Sequence, residues 1–325
     1  MSWIERQWSR VGPWHLLLIP LCVLFRLAAG TRRALYRAGA LRSERLPVPV
    51  IVVGNITAGG SGKTPLTLWL AEYLRERGWR PGIVSRGYRG RARGPMAVTA
   101  ATDPEIAGDE PVLLARRSSS PVWVGRDRAA AARALLAAEP DCNVILSDDG
   151  LQHYGLARDL EIAVVDGERR FGNGLPLPAG PLREPQSRLA EVDAVVWHGA
   201  APAGARQYPM RLTGDSFWNL LNPQSTAGPG AFHGRRLCAV AGIGHPQRFF
   251  DHLRDLGLEG ESLAFPDHHR YQARELRLPG REVILMTEKD AVKCLAFADE
   301  RMWALRVDAD VDPDLANAVL RKLDN

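Results

Sequence analysis

Residues 54–64, Gly54-Asn55-Ile56-Thr57-Ala58-Gly59-Gly60-Ser61-Gly62-Lys63-Thr64, have the composition of a phosphate cradle. Small residues let successive backbone N–H groups turn toward bound oxygens, and a helix N-terminus behind them adds partial positive charge. In such a loop Thr57, Ala58, Gly59, Gly60, Ser61 and Gly62 wrap the phosphates, Lys63 reaches the β- and γ-phosphates, and the Thr64 hydroxyl ligates Mg²⁺. The strict pattern asks for Gly at position 57, where this chain has Thr57, and Gly59 and Gly60 supply the freedom instead. A second signal is the apolar run 144–147, which ends in Asp148-Asp149-Gly150. A carboxylate at such a strand end holds Mg²⁺ directly or through water and neutralises charge that develops in phosphoryl transfer. Asp166 ends the next apolar run in the same way and reads as a turn former. Together these residues predict a protein that binds Mg²⁺ with ATP or GTP.

Transfer to an alcohol also needs a group that takes the hydroxyl proton. Asp103, Asp109, Glu110, Asp127, Asp267, His268 and His269 all qualify by type, and motif logic does not choose among them. Only four of the 42 basic residues are lysines, at positions 63, 289, 293 and 322. A compact ammonium is expected where Lys persists among so much Arg, which fits Lys63 and singles out Lys289 as well.

The elements that must hold these residues alternate along the chain. Residues 48–53 read as a buried strand, 65–74 as an amphipathic helix, 82–85 as a strand and 109–117 as a helix. Strands at 122–125, 144–147, 162–165 and 194–197 follow, with an Ala-rich helix at 127–139. This alternation predicts an α/β fold, a parallel sheet with helices on both faces, of the P-loop NTPase type. A turn-rich stretch at 222–234 places a boundary near residue 230. Residues 46–230 are then the phosphate-loop domain, and 231–325 a second, smaller α/β domain with strands at 237–241 and 283–286 and helices at 246–256 and 313–323.

Composition narrows the setting. With 46% hydrophobic and 24% charged residues the chain is an ordinary globular one. Its four cysteines are scattered without a C-x-x-C pair, which suggests neither a disulfide framework nor a zinc site and fits a reducing compartment. Of the net charge of +5, residues 1–50 contribute +6, so the body is close to neutral. That argues against a nucleic-acid partner and for a basic N-terminal segment facing anionic lipid. In that segment, 1–45, an uncharged run at 11–25 is flanked by Trp3, Trp8, Trp14 and by Arg6, Arg10, Arg26, Arg32, Arg33 and Arg37. The run is shorter than the ~20 residues of a spanning helix and leads to no cleavage site, so it reads as an interfacial helix at a membrane surface.

Seven segments in order resemble the tetraacyldisaccharide 4′-kinase family, the lipid A 4′-kinases of Gram-negative bacteria. They are the loop 54–64, Ser85-Arg86-Gly87-Tyr88, Gly108-Asp109-Glu110-Pro111, Asp148-Asp149-Gly150-Leu151-Gln152-His153, Phe171-Gly172-Asn173-Gly174 with residues 177–184, Phe265-Pro266-Asp267-His268, and Thr287-Glu288-Lys289-Asp290-Ala291-Val292. The resemblance covers residues 10–295, and it accounts for Thr57, since the family carries Ser or Thr there. It implies ATP- and Mg²⁺-dependent phosphorylation of the 4′-hydroxyl of a tetraacylated glucosamine disaccharide 1-phosphate, giving lipid IVA at the cytoplasmic face of the inner membrane. It also implies two α/β domains with the site in the cleft between them. Carried onto matching positions, Asp109 is the general base with His268 as its partner, and Glu110, Asp148 and Asp149 fall in the Mg²⁺ and phosphate neighbourhood.

Two further assignments come from the residues themselves. Arg183, in a Pro-rich loop, is a candidate cis arginine for the transferring phosphoryl group or a holder of the acceptor's 1-phosphate. Lys289 and Asp290 are candidates for the base or ribose end of ATP, because their direct adjacency does not match the guanine-reading Asn/Thr-Lys-x-Asp. The rival reading is a phosphate-loop GTPase or ATPase switch without a small-molecule acceptor. It expects the guanine motif and no lipid-docking segment, and neither expectation is met. No obligate protein partner is inferred.

Overall fold

Apolar runs without polar interruption require burial on both faces. The computed structural model, which describes residue 8 and residues 10–323, places those runs in the centres of two largely parallel sheets. Helix α1 (His15–Arg37) precedes β1 (Val50–Gly54), α2 (Lys63–Glu76), β2 (Pro81–Ser85), β3 (Met96–Val98), α3 (Pro104–Ala107) and α4 (Asp109–Arg117). Then come β4 (Val122–Val124), α5 (Arg128–Ala138), β5 (Val144–Asp148), β6 (Leu160–Asp166), β7 (Ala194–His198) and β8 (Gln207–Thr213). A second series comprises β9 (Phe217–Asn219), β10 (Thr226–Ala227), β11 (Leu237–Ala241), α6 (Pro246–Asp255), β12 (Gly260–Ala264), β13 (Val283–Thr287), α7 (Glu288–Cys294) and β14 (Met302–Leu305). The chain ends with β15 (Asp308–Val311) and α8 (Pro313–Leu323).

Nine strands form the larger sheet, in the order β15-β8-β7-β6-β1-β5-β2-β4-β3. β1 lies between β5 and β6, parallel to both, with Val53 beside Asp148 and Gly54 beside Ala163. The phosphate loop therefore leaves the sheet next to the Asp148-Asp149 pair, at the carboxyl ends of the strands, where open α/β sheets bind ligands. α2 buries Leu66, Leu70 and Leu74 completely. Their i, i+4, i+8 spacing makes one apolar stripe that seats the helix on the sheet. Each such leucine contributes about 1.5–3 kcal/mol by leaving water.

The smaller unit's sheet runs β10-β9-β14-β13-β11-β12, parallel from β12 to β14 and antiparallel at β9 and β10. Alternate residues of β13 supply its two cores: Val283 and Leu285 pack with Phe249 and Phe250, while Ile284 and Met286 pack with Tyr271 and Cys294. That is the period-2 consequence of a strand covered on both faces.

The compact units are residues 213–308 and, together, residues 2–212 and 309–325. The expected boundary near 230 thus falls inside the smaller unit, because β9 and β10 occupy and precede the turn-rich stretch. The final helix, read as part of the second domain, belongs to the larger unit, where Lys322 pairs with Asp193 at 3.4 Å.

At the N-terminus the helix is longer than the uncharged run suggests. α1 spans 23 residues, roughly 35 Å at 1.5 Å per residue, with Pro20 inside it. Among the described residues it is long and apolar enough to cross a membrane. Leu16, Leu17, Leu24 and Leu27 are exposed, while Cys22 is buried and donates to Pro176 O. Arg32 donates to Gln152 O, and Arg33 pairs with Glu191. Trp3 and Arg6, expected to flank the segment, lie outside the described residues.

Candidate functional site

The phosphate loop is held open by groups around it. Asn55 Nδ2 donates to Gly59 O and to Ser61 Oγ, each at 3.2 Å, bracing the loop from within. Arg169 donates to Gly60 O and, through Nε, to Asp166 Oδ2 at 3.0 Å. Asp166 Oδ1 accepts from the backbone N–H of Glu168 and Arg169, so this carboxylate makes a turn, as its sequence context suggests. Gly62 is the N-cap of α2 at φ +93°, in the left-handed region that favours glycine. A Cβ there would also lie 3.0 Å from Met210 Cε.

The first residues of the loop do something else. Thr57 is buried and pairs with Leu182 in an antiparallel bridge, and Ala58 N–H donates to Pro181 O at 2.8 Å. Arg183 N–H donates to Ile56 O at 2.8 Å. The N–H of Ala58, expected to face phosphate, is therefore already used within the fold.

Beside the loop lies a concentration of charge. Lys63 Nζ is 3.6 Å from Asp149 Oδ1, and Arg183 Nη1 is 3.2 Å from the same oxygen. Arg128, which is buried, donates to the backbone O of Asp149 at 2.9 Å. Burial alone would raise the Asp149 carboxyl, but Lys63, Arg183 and Arg128 outweigh it and hold it well below the usual carboxylate range. Burial likewise pulls the Arg128 guanidinium down to about 10, against the opposing attraction of Asp149. Asp149 sits at φ +48°, an uncommon conformation of the kind that clusters at functional sites.

Asp148 is the opposite case. It is wholly buried, and burial, then the like charges of Glu110 and Asp149, push its carboxyl well above the usual range. Thr67 donates to Oδ1 at 3.3 Å, while Oδ2 is buried without a hydrogen-bond partner. An orphaned carboxylate oxygen beside Glu110 and Asp149 fits a cation better than any protein donor in view. Among the described residues no group of three or more His, Cys, Asp or Glu is arranged as a metal cage. Mg²⁺ needs none, since it keeps waters and takes substrate phosphates with one or two protein oxygens. Thr64 and Asp148 fit that requirement.

Asp109 is buried as the first residue of α4, behind Gly108 as N-cap, and its Oδ1 accepts from Glu110 N–H at 2.9 Å. The structure thus brings Lys63, Asp148, Asp149, Arg183 and Glu110 into one electrostatic neighbourhood. His268, Lys289 and Asp290 belong to the smaller unit. There Lys289 Nζ lies 3.4 Å from both His268 Nε2 and Asp267 Oδ1, and Asp290 is completely buried.

Sequence reasoning missed Arg128, Arg169 and Gln152. Gln152 Nε2 donates to Asn55 O and to Glu184 Oε2, tying the end of β1 to the segment that carries Arg183. Arg169 could have been found from its i, i+3 spacing to Asp166, whereas Arg128 has no local signal. His153 plays a structural part, its Nε2 accepting from Arg128 N–H at 3.2 Å, and burial, then Arg128, lower its pKa to about 4.

Between α1 and residues 174–186 lies a cavity of about 580 Å³. Its walls combine Phe25, Leu27 and Leu182 with Arg26, Arg33 and Arg183. Apolar surface and fixed cations together suit a ligand with both hydrocarbon and anionic parts.

Comparison with known proteins bears on this arrangement. The model of the family described as tetraacyldisaccharide-1-P 4′-kinase matches residues 14–324. A tetraacyldisaccharide 4′-kinase of Azoarcus sp. is 55% identical over 321 residues, covering 97% of this chain and 94% of that relative. One of Methylobacillus flagellatus is 50% identical, covering 99% of this chain and 96% of that protein. The crystal structure of LpxK from Aquifex aeolicus in complex with ATP superposes with a TM-score of 0.82 at 30% identity, covering 95% of this chain and 99% of that one.

Proposed function

The chain belongs to the tetraacyldisaccharide-1-P 4′-kinase family, the kinases of lipid A biosynthesis, and on that premise we propose how its residues carry the reaction. The γ-phosphate of ATP passes to the 4′-hydroxyl of tetraacyldisaccharide 1-phosphate, giving lipid IVA. Backbone N–H groups from Gly59 to Thr64 take the phosphate oxygens, and Lys63 exchanges Asp149 for the β- and γ-phosphates. Thr64 and Asp148 would hold Mg²⁺, with Glu110 and Asp149 beside them, and the ion would supply positive charge against the charge that develops on the transferring phosphoryl group. Asp109 accepts the hydroxyl proton, and His268 assists it, an assignment that rests on the resemblance of Phe265-Pro266-Asp267-His268 to the family pattern.

The observation that carries this reading is the clustering of Lys63, Asp149 and Arg183 beside the orphaned Asp148 Oδ2. The acceptor occupies the cavity under α1, with hydrocarbon on Phe25, Leu27 and Leu182 and phosphate near the arginines. The outward leucines of α1 and its arginines seat the enzyme on the cytoplasmic face of the inner membrane, where a four-chain lipid resides. The nucleotide-switch reading is not retained, because family membership supplies the acceptor that it lacks.

The test is transfer of labelled γ-phosphate from ATP to tetraacyldisaccharide 1-phosphate in detergent micelles. Lys63→Ala and Asp109→Ala are each expected to lose at least about a hundredfold in turnover. Near-wild-type transfer by Asp109→Ala would remove it as the base. Arg183→Ala separates two roles: a raised KM for the acceptor alone assigns Arg183 to the 1-phosphate, and a lowered kcat alone assigns it to the transferring group.

A further inference from the structure

Lys289 and Asp290, near the N-terminus of α7, converge on His268 by two routes. Asp290 has no exposed surface, and its carboxylate accepts from Gly242 N–H at 3.0 Å, Thr287 Oγ1 at 2.7 Å, Tyr271 Oη at 3.1 Å and Lys293 Nζ at 2.6 Å. With four donors already engaged it offers nothing to a nucleotide. The carbonyl of Gly242 accepts in turn from the backbone N–H of His268 at 3.2 Å. Only glycine allows this approach, because a Cβ at 242 would lie 2.7 Å from Tyr271 Oη and 3.0 Å from Asp290 Oδ1. One residue, Gly242, thus links Asp290 to His268, whose backbone stands at φ +59°, a conformation that persists only where the surroundings impose it.

Lys289 stands beside the ring. Its Nζ lies 3.4 Å from His268 Nε2 and 3.4 Å from Asp267 Oδ1, while Asp267 Oδ2 is 3.8 Å from the same ring nitrogen. An ammonium has three donors and no acceptor, so this contact requires Nε2 to present its lone pair and leaves the ring proton on Nδ1. Asp267 pulls the other way, since a carboxylate at that distance favours a proton on Nε2. Lys289 Nζ stands within reach of the carboxylate and the ring nitrogen together. The compact tetrahedral ammonium suits two acceptors on different sides, in a chain that otherwise uses Arg for nearly every cation.

We propose that Lys289 is a positioning residue that sets the tautomer of His268, keeping Nε2 an acceptor and Nδ1–H the donor that the ring offers to the catalytic carboxylate. In that form the imidazole orients a carboxylate by a donated hydrogen bond while leaving it able to take the substrate proton. The inference rests on the proposed pairing of His268 with Asp109.

The test uses the full chain in detergent micelles with ¹⁵N-labelled histidine rings, read by long-range proton–nitrogen NMR, with His268→Gln identifying the signal. Wild type should show the proton on Nδ1. Lys289→Met should move it to Nε2 or give a doubly protonated ring, with kcat about tenfold lower or more and the KM for ATP within about twofold. Lys289→Arg, which keeps donors facing Nε2, should retain the wild-type tautomer even if other properties change. A wild-type ring protonated on Nε2, or a tautomer unmoved by Lys289→Met, overturns the inference. So does Lys289→Met acting only through a raised KM for ATP, which would return Lys289 to the nucleotide. If the tautomer follows Lys289 but His268→Gln turns over normally, the tautomer control stands and the pairing with Asp109 fails.

Discussion

Asp149 is the counter-ion of Lys63 and Arg183, and replacing it with Asn should have opposite effects on stability and on the affinity for free ATP. At 3.6 Å from Lys63 and 3.2 Å from Arg183, the carboxylate gains about 5 kcal/mol of Coulomb energy from each at an effective dielectric of about 20. Desolvation of three charges returns most of that. The side chains are 10%, 25% and 30% exposed for Lys63, Asp149 and Arg183, so the net lies between that of surface and of buried pairs, about 2 kcal/mol. For a unit of this size Asp149→Asn should lower the Tm by roughly 4–8 °C without nucleotide.

The phosphates of ATP bring charge to the same cations, and in the wild type they must displace a carboxylate that also repels them. Asp149→Asn should therefore bind free ATP in excess EDTA more tightly, by up to about 30-fold if the whole 2 kcal/mol is recovered. With Mg²⁺ present, turnover should fall, because the variant lacks charge beside the metal. Calorimetry of ATP binding with and without Mg²⁺, alongside a thermal melt, reads all three effects. An unchanged Tm together with weaker binding of free ATP would refute the counter-ion role. A pH series adds a check on sign: the folded Asp149 carboxyl is depressed, so its stabilisation is present above the unfolded value of about 3.9 and is lost as pH falls toward the folded one. The Tm gap between wild type and Asp149→Asn should be flat near neutrality and close below about pH 4.

Other substitutions test the neighbouring residues. Asp148 has the opposite linkage: its folded carboxyl is raised, so the stability tied to the neutral form is lost as pH rises toward that folded value. Asp148→Asn should consequently gain Tm over wild type progressively from about pH 4 to about pH 7 in EDTA, level off above that, and still lose at least about a hundredfold in turnover. Gly62→Ala forces a Cβ into φ +93° and toward Met210 Cε, so it should cost about 1–2 kcal/mol and raise the KM for ATP, as steady-state kinetics would show. Leu17→Glu with Leu24→Glu removes two exposed leucines from α1, and flotation should show loss of binding to anionic vesicles while ATP affinity is kept.

The parts legible in the sequence are those whose signal is local. The glycine loop, Asp148-Asp149 after an apolar run and the start of α4 at Asp109 are contiguous patterns, and the central strands declare themselves by unbroken apolar residues. β8 was hidden by Pro209 and Arg211 within it, which no central-strand pattern tolerates. α8 has a clear apolar stripe in Leu315, Ala316 and Val319, but a stripe does not say which sheet it covers. Arg128 and Gln152 act through bonds across 21 and 97 residues, beyond any spacing rule, whereas Arg169 has a local partner in Asp166 as well as its distant one in Gly60. Asp290 misled for a related reason: an acidic residue beside Lys looks like a ligand contact until its four internal donors are seen.

Thr57 shows how the phosphate loop is joined to the wall of the cavity under α1. A glycine there would give the loop its usual freedom, but a buried Thr bridged to Leu182 makes this point a short piece of sheet, which β-branched residues favour. The bonds of Ala58 N–H to Pro181 O and of Arg183 N–H to Ile56 O close this single bridge on both sides. Leu182 and Arg183 line the cavity under α1, so one wall of that cavity is hydrogen-bonded to the root of the phosphate loop. Gln152 repeats the tie from a third direction, through Asn55 O and Glu184. A site whose charges are fixed before substrate arrives needs little reorganisation during transfer. The cost of that arrangement is the crowding of Lys63, Arg183 and Arg128, and Asp149 offsets it.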